Sequence, residues 1–201
     1  LLEGKRPSRM DLFTYMDDEI YRICVSGSHA KENPFQHYLD FLYELGELSE
    51  DEQELYAGIG REFIQTIETT EMQKVYKMPI LYSFYNHGNI RLAVTDEEVL
   101  ESWKEFFDTG TNWKDFPNVN TYEDYKKVTD KQHLSKAKWM PIRFLKASGK
   151  GFFVEKDGYA LALRDEIGEV VGNMAFGEQM GDVLGYRSLE YYRRRYERKH
   201  H

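Results

Sequence analysis

Cysteine is nearly absent from this chain: Cys24 is the only one among 201 residues. No disulfide framework can hold the fold, and a reducing, cytoplasmic setting is expected. Long apolar runs are missing too. None approaches the roughly 18 residues a spanning helix needs, so no membrane partner is expected. Mean hydropathy is −0.69, and no charged segment followed by an apolar stretch marks a secretory signal. Positive charge is in deficit: the net charge of −8 excludes a protein whose whole surface binds nucleic acid. Aromatic residues, by contrast, make up 15% of the chain, too many for a disordered tail. The chain opens at Leu1 without a methionine and closes on His200-His201. These ends read as a piece of a longer polypeptide, with residues 200–201 the remnant of a tag.

Hydrophobic spacing predicts a mainly α fold, a compact multi-helix domain over residues 1–199 with one small β-hairpin near residues 152–163. Ser8 caps a short helix over Arg9–Met16. A second helix, Asp18–Val25, is expected to turn Ile20, Ile23 and Cys24 inward and to stop at Gly27. Pro34 opens the next, with Phe35, Tyr38, Leu39 and Leu42 on one face. Ser49-Glu50-Asp51-Glu52 is a capping box opening a long helix with the stripe Leu55, Ile59, Phe63, Ile67. Gly58 and Gly60 lie inside it, each costing about 1 kcal/mol against alanine, and a closely crossing neighbour is the expected compensation. Pro79 is expected to kink or restart a helix over Glu71–His87. Thr95-Asp96-Glu97-Glu98 is a second capping box, ahead of Val99, Trp103 and Phe107. Thr111–Asn120 reads as an aromatic-anchored loop. Thr121 and Asp130 are expected to cap two more helices, the second carrying Leu134, Ala137 and Trp139. A short segment begins at Pro141. Lys156-Asp157-Gly158 joins two strands, Phe152–Glu155 and Tyr159–Leu163. Asp165 to Lys199 returns to helical spacing.

Chemistry is sparse. His29, His37, His87 and His133 are scattered and lack metal-ligand spacing, and His37 with Asp40 reads as a surface pair. Cys24 reads as a small hydrophobe on a helix face. No nucleophile elbow and no Walker A sequence exist, and the paired carboxylates sit in first helical turns, where they complement the helix dipole. No catalytic residue, metal or cofactor is therefore expected in this chain.

The basic C-terminus stands out. Residues 187–199 hold six basic side chains against Glu190 and Glu197, while the remainder carries 21 basic and 33 acidic residues. Tyrosines are interleaved with the arginines, which suits phosphate contact with base stacking. The candidate nucleic-acid-binding residues are Arg187, Tyr191, Tyr192, Arg193, Arg194, Arg195 and Arg198. The competing reading is an amphipathic terminal helix whose tyrosines pack and whose arginines pair with the acidic body.

Several stretches resemble the region C-terminal to the motor in bacterial superfamily 2 DEAD/DEAH-box helicases. Met72-Gln73-Lys74-Val75-Tyr76-Lys77-Met78-Pro79-Ile80-Leu81 is similar to that group's M-x-K-S-Y-K-M-P-x-L segment, with Val75 where serine is common. Val94–Val99 and Trp103–Phe107 resemble the helix that follows it there. Asp182 to Arg194 is similar to a terminal D-x-x-x-Y-R-x-x-x-Y-x-x-R pattern, and Gly4-Lys5-Arg6-Pro7-Ser8 to the opening G-R-x-P turn. The catalytic residues of the motor have no counterpart here. The resemblance implies a non-catalytic accessory domain, with DNA or RNA and the motor domains of the parent chain as partners. ATP and magnesium would belong to the parent helicase. The rival expectation is a protein–protein module docking through aromatics, with Trp113 and Phe116 the foremost candidates beside Trp103 and Trp139.

Overall fold

Four capping boxes set helix starts among the described residues. Ser8 with Asp11, Ser49 with Glu52, Thr95 with Glu98 and Thr129 with Gln132 each exchange side-chain and backbone hydrogen bonds across one turn. The last places the cap at Thr129, one residue before the expected Asp130. The computed structural model describes residues 6–26 and 33–197. Gly4, Lys5, Gly27, His29, Arg198 and the closing histidines lie outside them. The fold is mainly helical with a small antiparallel sheet. It divides into two compact units, Leu1–Thr70 with Glu166–His201, and Glu71–Asp165, where the sequence pattern suggested one. The reason is topological: the C-terminal helix returns to pack on the N-terminal helices, leaving the middle segment to build its own core.

The first unit contains α1 (Arg9–Tyr15), α2 (Asp18–Ser26), α3 (Tyr38–Leu45), α4 (Glu50–Ala57), α5 (Ile59–Thr69) and α11 (Met174–Glu197). The expected long helix from residue 50 is two helices. Gly58 adopts an extended conformation (φ −108°, ψ −170°) that caps the end of α4 and the start of α5. Breaking there avoids a glycine in a helix interior, and Gly60 lets α5 close directly onto Leu55 of α4. On α11, Gly185 admits Met10 of α1, whose sulfur would lie 3.0 Å from a Cβ at that position. Phe13, Phe35 and Tyr186 form an aromatic cluster between α1, α11 and the turn before α3. Here α2 packs Cys24 as expected but departs from expectation at its isoleucines. It turns Tyr21, Cys24 and Val25 onto that cluster, and leaves Ile20 and Ile23 exposed. The faces are alternatives of similar apolarity, and the Tyr21 ring stacks edge-on against both Phe13 and Phe35.

The second unit contains α6 (Lys77–Tyr85), α7 (Asp96–Asp108), α8 (Tyr122–Lys126), α9 (Asp130–Ala137), α10 (Arg143–Ser148), and strands β1 (Ala93–Val94), β2 (Phe153–Val154) and β3 (Leu161–Leu163). Pro79 falls in the first turn of α6, where its missing N–H leaves no bond unmade, so the helix starts at Lys77 and does not kink. Met72, Val75, Met78, Ile80 and Leu81 are buried, as are Trp103 and Phe107 of α7, whose rings lie 4.9 Å apart. Burial of each such side chain contributes about 1.5–3 kcal/mol. The predicted hairpin forms with shorter strands and a longer connection, residues 155–160, than the expected three-residue loop, pairing Phe153 with Leu163 and Val154 with Ala162. Its other edge is covered by β1, a strand too short to show any alternation in sequence. Between α9 and α10 the backbone widens into a π turn, Lys138–Ile142, around Pro141. Proline has no N–H to donate to the preceding turn, and a π turn relieves the clash of its ring there.

Candidate nucleic-acid interface

The helical phase of α11 decides what its arginines can do. Met180, Val183, Leu184, Arg187 and Tyr191 recur at helical spacing, and all five are buried. Arg187 therefore belongs to the interior of the first unit and not to a phosphate-contacting face. Its guanidinium donates to the carbonyl of Thr70 and pairs with Glu190 at 3.2 Å. Tyr191 is corrected likewise: it is buried, with its ring edge-on to Tyr192 at 5.2 Å, so it cannot offer a face to a base.

Arg193, Arg194 and Arg195, in the last turns, are half-buried. Arg193 lies over the rings of Phe13 and Tyr21, at 5.1 and 5.2 Å, and pairs with Asp18 of α2. Arg194 pairs with Glu190 at 3.3 Å. Arg198 lies outside the described residues. Where α1, α2 and α11 converge, Phe13, Tyr21, Arg22, Glu190, Arg193 and Arg194 line a concavity of about 40 Å3. Arg22 is the residue that sequence reasoning missed. It is exposed and makes no ion pair among the described residues. A single arginine on an acidic helix carries no signal until α2 is laid against α11.

The floor of this concavity is electrically neutral. Burial pushes the hydroxyls of Tyr21 and Tyr186 above the ordinary tyrosine value, and the two hydroxyls share a hydrogen bond at 3.3 Å. Around it stand Arg22, Arg193 and Arg194, against the carboxylates of Glu190, which pairs with Arg194, and Asp18, which pairs with Arg193. The excess is positive and the shape is concave, an arrangement that accepts an anionic oxygen.

The other candidates sort by burial. Phe116 is sealed in a ring cluster with Trp103, Phe107, Tyr125 and His133, so it is unavailable for docking. Trp113 is half-buried against Tyr122. Trp139, expected on the inner side of its helix, is instead 67% exposed, because it stands two residues, about 200° around the helix, from the buried Ala137. His37 pairs with Asp40 at 3.5 Å and with the side-chain amide of Gln65 at 2.7 Å, a surface cluster. Among the described residues no group of three His, Cys, Asp or Glu could hold a metal ion, and no helix is long and apolar enough to cross a membrane. No protein-family model, no curated protein and no solved structure matches the chain.

Proposed function

We propose that this chain is a non-catalytic accessory region of an ATP-driven helicase, and that it helps hold nucleic acid. The observation that carries the reading is the cationic concavity at the end of α11, where Arg22, Arg193 and Arg194 surround an aromatic floor. The resemblance of its opening, middle and closing stretches to helicase C-terminal regions supports it. The burial of the middle and closing stretches fits a scaffold: Met72, Val75, Met78, Ile80 and Leu81 are buried, and Asp182, Tyr186 and Arg187 all bond within the first unit. The proposed contact set is Arg22, Arg193, Arg194 and Arg195. Phosphate contact by guanidinium is favoured by bidentate geometry and by release of counterions.

The test is fluorescence anisotropy of labelled single- and double-stranded DNA and RNA at two salt concentrations. Binding in about the micromolar range that weakens steeply with salt is expected. Arg22→Glu with Arg194→Glu should lower the affinity at least tenfold while the circular dichroism spectrum stays unchanged. Absence of binding at low salt, or indifference to that double substitution, overturns the reading.

A further inference from the structure

Residues 131–150 contain six lysines and arginines and no aspartate or glutamate, in a chain whose net charge is −8. They form α9, the π turn and α10. The inward side of this run is Ala137, Pro141, Ile142 and Leu145. Its outward side carries Trp139, Met140 and Phe144, which are 67%, 40% and 49% exposed. Trp139 is four residues from Arg143, and Met140 is four from both Lys136 and Phe144, so these side chains neighbour one another along the surface. Lys138 pairs with Asp96 and Lys146 with Glu155. Lys131, Lys136, Arg143 and Lys150 make no ion pair among the described residues. Trp139 with Arg143, and Met140 with Lys136 and Phe144, therefore lie side by side on the second unit, with Lys131 and Lys150 near the two ends of the run.

The geometry points to a second nucleic-acid site here, specific for single strands, with Trp139 and Phe144 as stacking platforms and Lys131, Lys136, Arg143 and Lys150 as phosphate contacts. Unpaired bases offer π-faces that a duplex hides, and stacking on aromatics beside a cationic track is how such strands are held without sequence preference. A lipid surface fits less well. An interfacial helix needs a broad, continuous apolar face, and here the apolar positions on the other side of the run are already committed to the core. The inference rests on the nucleic-acid reading for its class of ligand but uses a different surface from the α11 concavity.

The tryptophans make it testable. Trp103 is fully buried and Trp113 half-buried, so quenching by a stacked base reports on Trp139. Titrating oligothymidylate into the intact chain should quench tryptophan emission saturably, and a duplex of equal length should not. Trp139→Ala with Phe144→Ala should weaken oligonucleotide anisotropy about tenfold or more. Lys131→Glu with Arg143→Glu, which leaves the aromatics in place, should weaken it and flatten its salt dependence. If oligothymidylate binds without quenching and both double variants bind as the parent does, this site is overturned. In that case loss of binding on Arg22→Glu with Arg194→Glu would leave the α11 reading standing. If no oligonucleotide binds at low salt, both fall. Quenching by phosphatidylserine vesicles but not by oligothymidylate assigns the surface to lipid and overturns the proposal.

Discussion

Arg9 Nε donates to Glu68 Oε1 at 2.8 Å, joining residues 59 apart in sequence, with both side chains sealed from solvent. The same guanidinium reaches Gln179 and Asp182 of α11, each at 2.8 Å, and lies 4.4 Å from the centre of the Tyr38 ring. Gln179 in turn donates to Glu52, which pairs with Arg6. One polar network thus ties α1, α4, α5 and α11 together. Burial alone would depress the Arg9 guanidinium, but Glu68 and Asp182 more than offset it and hold its pKa above the ordinary value.

Removing one member of such a buried pair leaves the other charged and unpaired, which costs about 3–5 kcal/mol. Arg9→Ala should therefore lower unfolding stability by about that amount in a urea titration. Glu68→Gln, which keeps an acceptor oxygen, should cost less. A loss below about 1 kcal/mol for Arg9→Ala would place this network among weak surface pairs.

Arg187 and Arg194 should separate stability from binding. Arg187→Ala removes the donor to Thr70 and should destabilise the chain by about 1–3 kcal/mol. Arg194→Ala, which removes only a partly exposed pair with Glu190, should cost no more than about 1 kcal/mol and act on nucleic-acid affinity instead. Thermal melts run beside anisotropy would expose the opposite pattern if the assignment is reversed.

Gly149 is predicted to resist any side chain. A Cβ there would lie 2.5 Å from the backbone carbonyl of Leu145 and against the ring of Phe153. Neither can retreat, since Leu145 ends the buried face of α10 and Phe153 is fixed in β2. Gly149→Ala should cost about 1–3 kcal/mol, measured as a lower denaturation midpoint with an unchanged slope.

His133 confers a pH dependence on folding. Burial lowers its pKa from the ordinary 6.5, with Lys104 adding to the effect and Asp108 and Asp130 opposing it. The unfolded chain then binds the proton more readily than the folded one. Stability is fully present above pH 6.5 and is lost as pH falls from there toward the lowered folded value. Urea titrations on either side of that pH should show the decline, and His133→Phe should remove its share of the slope.

Much of this was legible locally. Ser8, Ser49, Thr95 and Thr121 each cap the helix that follows, because capping is a contact within one turn. The hairpin around Lys156-Asp157-Gly158 was readable for the same reason, as alternation and turn residues sit side by side. Sequence also carried the mainly α class, since spacings of three and four recur along most of the chain.

What depended on partners distant in the chain was not legible. Whether α2 would turn Ile20 and Ile23 inward beside Cys24, or Tyr21 and Val25, is settled by Phe13 and Tyr186, and β1 exists only because β3 leaves an edge beside it. Arg187, Arg193 and Arg194 are alike as letters. One became an internal fastener and two came to rim a concavity, because a helix advances 100° per residue and only the tertiary packing decides which directions face inward. Trp139 teaches the same lesson: Ala137 and Trp139 were both apolar candidates for the inner face, but they stand about 200° apart around the helix, and the packing that buries Ala137 and Pro141 leaves the indole in solvent.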